Sequence, residues 1–142
     1  MSARPSATRR TVLRGATLTP VAGLGLAACA PGGGTGATPA TPTAPVALGA
    51  ESEVPEGGAK LYRDANVVVS RAADGSLKAY STICTHAGCA INKLSGTTLV
   101  CPCHGSRFDA VTGKVVQAPA TEPLPELSVA VKNGRIVAGP AA

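Results

Sequence analysis

Two six-residue stretches constrain this chain more than anything else in it. Cys84-Thr85-His86-Ala87-Gly88-Cys89 and Cys101-Pro102-Cys103-His104-Gly105-Ser106 are separated by eleven residues, and they hold both histidines and four of the five cysteines of the 142-residue sequence. Each stretch places a histidine just after a cysteine, as Cys84-x-His86 and Cys101-x-x-His104. At that spacing a thiolate and an imidazole on one loop can turn inward together. A fold that uses both stretches must present two loops side by side.

Two facing loops of this kind offer two thiolates and two imidazoles. That ligand set suits a 2Fe-2S cluster with cysteine on one iron and histidine on the other. Cys89 and Cys103 are then left over, one per loop, and in an exported protein such a pair suits a disulfide. Other chemistries compete for the same residues. A four-ligand zinc site is open to them, although zinc sites favour C-x-x-C knuckles and neither stretch has one. Two plain disulfides with no metal leave both histidines unexplained. Nucleophilic Cys–His catalysis calls for one cysteine set apart from the rest, and none is.

The pair C-T-H-A-G-C and C-P-C-H-G-S resembles the two cluster boxes of the Rieske iron–sulfur proteins, in the version with an inter-loop disulfide. The resemblance implies that Cys84 and Cys101 bind the first iron of a 2Fe-2S cluster, that His86 and His104 bind the second, and that Cys89 and Cys103 form the disulfide. It implies a small antiparallel sandwich with a cluster-binding subdomain on two loops at one tip. Ser106 falls where the family's serine bonds a bridging sulfide. Phe108 falls where high-potential members have a tyrosine that bonds a cysteine sulfur; lacking the hydroxyl, this chain is expected to have a lower midpoint than its quinol-oxidising relatives. Pro119, Pro123 and Pro125 lie where the family has a loop covering the cluster.

The formal charge of +5 belongs to the N-terminal end. Arg4, Arg9, Arg10 and Arg14 precede Cys29 with no acidic residue among them, and beyond residue 28 nine Lys and Arg face eight Asp and Glu. With no basic run in that part, nucleic-acid binding is unsupported. Residues 1–28 read as a targeting segment. Thr8-Arg9-Arg10-Thr11-Val12-Leu13-Arg14 resembles the twin-arginine export signal, with Val12 where that signal usually has phenylalanine. The apolar run that follows, from about Gly15 to Ala28, is shorter than the ~20 residues a membrane span requires. Leu26-Ala27-Ala28-Cys29 resembles a lipoprotein cleavage box, which makes Cys29, the odd cysteine, a lipid attachment site; Ala28-Cys29-Ala30 also fits ordinary A-x-A cleavage. Twin-arginine transport carries folded proteins, as that resemblance implies, and a cluster assembled inside the cell would be lost on unfolding. The expected location is the outer face of a bacterial cytoplasmic membrane, with the protein held there by lipid.

Residues 29–48 supply the lipidated cysteine and a Pro, Gly, Thr and Ala linker without charge, semi-extended through Pro39, Pro42 and Pro45. Residues 49–142 are the domain. Val67-Val68-Val69 is a β-branched run, and an Asp74-Gly75 turn leads to Leu77-Lys78-Ala79-Tyr80. Thr97-Thr98-Leu99-Val100 delivers the second box, and Thr112-Gly113 turns the chain toward Val115 and Val116. Leu127 to Val131 alternates with period two before an Asn133-Gly134 hairpin turn and a return strand. No stretch holds a helical apolar period, so the expectation is an all-β domain. Tyr62, Tyr80 and Phe108 are its few aromatics, so its core is aliphatic and small.

The function implied is one-electron transfer outside the cytoplasm, to or from an unknown redox partner protein. A Rieske subunit of an oxidoreductase, cytochrome bc-type or arsenite-oxidase-like, is the neighbouring reading. A metal-free surface lipoprotein stapled by disulfides is the third. No residue is assigned as catalytic acid, base or nucleophile.

Overall fold

A computed structural model describes residues 38–141. The twin-arginine-like segment, the apolar run and Cys29, the expected lipid-attachment site, lie outside the described residues. In chain order the strands are β1 (Val46–Ala50), β2 (Gly58–Tyr62), β3 (Val67–Arg71), β4 (Leu77–Ser81), β5 (Lys93–Ser95), β6 (Thr98–Val100), β7 (Arg107–Asp109), β8 (Val115–Gln117), β9 (Glu126–Lys132) and β10 (Arg135–Gly139). They form a six-stranded sheet in the order β1-β10-β9-β4-β3-β2 and a four-stranded sheet in the order β5-β6-β7-β8. Every ladder is antiparallel, and the only helical pieces among the described residues are two three-residue 3₁₀ turns. The all-β expectation holds.

The valine run explains how the two halves join. Side chains alternate along a strand, so β3 sends Val67 and Val69 into a core beneath the six-stranded sheet and Val68 into a second core shared with the four-stranded sheet. β4 does the same with Ala79 and Tyr80. The first core, the base, adds Leu48, Val54, Leu127 and Ile136. The second, the tip, adds Ile91, Leu99, Phe108 and the two thiols Cys84 and Cys101. At the far end of the base, Asn133 and Gly134 adopt φ of 50° and 72° between paired Lys132 and Arg135. Two successive left-handed residues make the two-residue turn whose twist suits a hairpin.

The domain begins earlier than its composition indicates. Val46, Ala47 and Leu48, expected to be linker, belong to β1: Val46 pairs with Ala138, Ala47 with Val137, and Leu48 is buried. Just before it, the Asn66 side-chain N–H donates to the Ala40 carbonyl at 3.1 Å, and the Thr41 and Ser81 hydroxyls share a 2.7 Å hydrogen bond. Pro- and Ala-rich sequence has little strand propensity of its own, so this strand is made by its partner β10 near the other end of the chain.

The site is placed by strand ends. β4 runs into the first box, which the Ile83–Ala90 bridge pinches at its base. The second box is the whole connection between β6 and β7.

Candidate metal centre

The two boxes fold into loops with the same hydrogen bonds. In the first, the Cys84 N–H donates to the Cys89 carbonyl and the Gly88 N–H to the Cys84 carbonyl, both at 2.8 Å. In the second, the Cys101 N–H donates to the Ser106 carbonyl at 2.9 Å and the Gly105 N–H to the Cys101 carbonyl at 3.2 Å. Gly88 and Gly105 sit at φ of 73° and 77°, where a side chain would strain the turn. Matched bond for bond, Cys84 corresponds to Cys101 and Cys89 to Ser106. The histidines are offset by one position, which explains why the two boxes read differently in sequence yet close alike.

The loops separate the donors by depth. Cys84 and Cys101 are free thiols, each 2% exposed, at the top of the tip core. His86 and His104 are exposed, and their rings meet edge to face with centroids 4.8 Å apart. Cys89 and Cys103 are joined by a disulfide with Cα atoms 6.6 Å apart, tying one loop to the other. The sulfurs of Cys89, Cys101 and Cys103 all lie within 4.8 Å of one another.

Burial pushes the Cys101 thiol above its ordinary range. Backbone N–H groups of Cys103 and His104 bond its sulfur and oppose that shift, while contact with the Cys84 thiol adds to it. Metal binding requires the thiolate, and donors already aimed at the sulfur favour it. The donor set therefore fits a 2Fe-2S cluster: two sulfurs buried inside, two nitrogens outside, all on loops locked together by a covalent bond.

A third segment braces both boxes. Ser106 is fully buried, and its Oγ accepts the Ala120 N–H at 3.0 Å, which leaves its own O–H to donate. The Thr85 hydroxyl donates to the Glu122 carbonyl at 2.7 Å, and the Gln117 side-chain amide to the Gly105 carbonyl at 3.0 Å. The proline-bearing stretch of Pro119, Pro123 and Pro125 thus lies against both loops, and Leu124 anchors it in the tip core. Phe108 is fully buried in that same core. Thr85 and Gln117 carried no signal in the sequence, because both bond main-chain carbonyls, 37 and 12 residues away.

Residues 44–128 match the Rieske 2Fe-2S domain family. The cytochrome b6-f complex iron-sulfur subunit of Chlorobaculum tepidum is 38% identical over 96 residues, which is 65% of this chain and 51% of that protein. A putative respiratory nitrate reductase Rieske subunit from Haloferax mediterranei is 46% identical over 56 residues, 39% of this chain and 26% of that protein. The chain spans about half the length of the first of these relatives and less of the second. Among solved structures, the cyanobacterial plasma membrane Rieske protein of Synechocystis superposes with a TM-score of 0.50 at 31% identity, covering 66% of this chain and 97% of that one.

Proposed function

The chain belongs to the Rieske 2Fe-2S family, and from that premise we propose that it is an extracytoplasmic one-electron carrier with Cys84, Cys101, His86 and His104 as the cluster's ligands. The reading rests on the split between the donors: two free thiols buried in the tip core, and two exposed imidazoles 4.8 Å apart above them. Bound there, the cluster supplies a one-electron store whose potential lies above that of all-cysteine clusters, because imidazoles replace two thiolates.

The chain's own residues do the rest. Phe108, Leu99 and Ile91, all within 1% of full burial, keep water from the sulfur side. The N–H groups of Cys103 and His104 and the free O–H of Ser106 are donors on that side, and donors stabilise added negative charge. His86 and His104 carry the path for the electron to the surface. The disulfide and the brace through Thr85, Gln117 and Ser106 keep the two loops in one arrangement, which limits reorganisation during transfer.

Export and a lipid anchor complete the proposal. The twin-arginine-like Thr8–Arg14 segment, the Leu26–Cys29 box and a disulfide, a bond that persists in oxidising compartments, support it. The partner is another redox protein. A subunit role in a larger complex is a second reading, supported by relatives named as subunits of cytochrome b6-f and bc1 complexes.

Anaerobic purification with metal analysis and EPR tests the core of the reading. About two iron and two sulfide per chain, with a signal that appears on reduction, is the expected outcome. Zinc, or vacant thiols with no signal, would sink it. For the anchor, Cys29→Ser should move the protein from the membrane to the soluble fraction; unchanged partition would remove the lipid from the proposal.

A further inference from the structure

The outward face of the four-stranded sheet carries a row of opposed residues across all its strands. Lys93 stands opposite Val100, Val100 opposite Arg107, and Arg107 opposite Gln117. Directly opposed residues project from the same side of a sheet. Lys93, Arg107 and Gln117 are exposed, whereas the neighbouring row through Leu99 and Phe108 points into the tip core. The row borders the second box, since Val100 immediately precedes Cys101 and Arg107 immediately follows Ser106. Two cations therefore stand beside the loop that carries His104.

Several other cations of the molecule are committed. Lys60 pairs with Glu53, and Arg71 lies 3.8 and 3.6 Å from Glu51 and Glu56. Arg63 and Arg135 donate to the carbonyls of Asn92 and Leu48. Lys93 and Arg107 have no side-chain partner of either kind among the described residues. Among the described residues no carboxylate lies within ion-pair distance of either. Asp109 is farther from the box along β7, and its Oδ1 is held by the N–H groups of Val111 and Thr112 and the Thr112 hydroxyl. Glu122 lies on the bracing loop. Val100 is half-buried between the cations, and Val116 on β8 is 61% exposed, so the basic groups flank apolar surface.

We propose that this face is a docking surface for a negatively charged redox partner, a protein that presents carboxylates around its own electron-transfer edge. Complementary charge beside the electron exit steers encounter and raises the on-rate, and the effect fades as salt screens it. The inference rests on the cluster reading above and adds the sign of the partner.

The test uses the reduced holoprotein and two inorganic oxidants of opposite charge, hexacyanoferrate(III) and tris(phenanthroline)cobalt(III), in stopped flow. Between about 0.01 and 0.15 M ionic strength the anionic oxidant should slow with added salt, and the cationic one should not. Lys93→Glu with Arg107→Glu should lower the low-salt rate of the anionic oxidant about tenfold and abolish its salt dependence. Polyglutamate should slow that reaction in the parent protein and not in the variant. Lys132→Glu makes half of that charge change at the far hairpin of the other sheet and should alter the rate less than about twofold. A pair with Gln in place of Glu serves if the glutamates disturb the sheet, and the visible spectrum reports an intact cluster. Equal effects of Lys132→Glu and Arg107→Glu alone would reduce the matter to net charge, and indifference to salt or polyglutamate would remove the docking face; either overturns the proposal. Failure of the cluster reading looks different, because the visible absorption and the EPR signal of the reduced protein would then be absent whatever the oxidant.

Discussion

The base and the tip are held together by different means. Base strands are five to seven residues long, and their core is closed by aliphatic side chains such as Val67, Val69, Leu127 and Ile136. Tip strands are three residues each, and two of the buried groups in their core are thiols. Strands that short are marginal without further support. The tip gets it from the Cys89–Cys103 bond, from the bracing loop and from any metal its thiols hold. A site at a surface needs exposed donors on a firm support. Regular structure would bury the histidines, so the tip gives it up, and cross-links supply the rigidity that ladders supply below.

The largest test of that division removes a proposed ligand. Cys84→Ser should leave almost no iron on the chain and loosen the tip, while amides of β9 and β10 keep their hydrogen-exchange protection. Equal loss in both sheets would mean that the base depends on the cluster and that the two regions are not separately held. Next comes the disulfide, whose partners are 14 residues apart. Closing a loop of that size is worth about 3 kcal/mol in the chain-entropy account. Replacing both Cys89 and Cys103 by serine should subtract roughly that amount from the protection of β5 to β8 and much less from β9 and β10.

Two glycines compare the regions more finely. Gly75 in the base and Gly113 in the tip both have positive φ, +85° and +71°. A Cβ on Gly75 meets nothing within 4 Å, whereas one on Gly113 falls 2.6 Å from the Tyr80 ring and 3.3 Å from the Leu124 carbonyl. Gly75→Ala should cost about 1 kcal/mol from backbone strain alone. Gly113→Ala adds overpacking and should cost about 2 kcal/mol more. Urea titrations of the two variants decide it. Equal midpoints would show that the turn yields freely and that Tyr80 does not set its position.

The same contrast governs what the sequence made legible. The six cysteine and histidine positions of the boxes stand out because their types are almost absent elsewhere, and the structure brings all six to one tip. β3, β4, β9 and β10 were visible as β-branched or alternating runs between turn residues. β1 was not, because its strand character comes from β10. β2, read as Gly-Ala-Lys-Leu-Tyr, is half-buried along its whole length and shows no alternation to detect. The bracing contacts of Thr85, Gln117 and Ala120 were invisible for a related reason. Each depends on a backbone group that folding brings near, and a backbone group has no letter in the sequence.

The smallest effect is also the most local. Phe108 is fully buried in the core that contains Cys84 and Cys101, and its ring carries no polar atom. Phe108→Tyr would introduce a hydroxyl that must find an acceptor there, since an unpaired buried O–H is costly. As the proposed ligands, the sulfurs of Cys84 and Cys101 would be acceptors whose negative charge grows on reduction, so a donor to either one would stabilise the reduced form more than the oxidised. The midpoint should therefore rise, by about 60 mV if the new bond favours reduction tenfold. Tyr62→Phe, which removes a hydroxyl from the base, should leave the midpoint where it was. Voltammetry on the two variants separates a local hydrogen bond from a general change in polarity: no rise with Phe108→Tyr would mean that the tip core directs its ring away from the sulfurs, and a shift with Tyr62→Phe would mean that the potential is set by the whole domain.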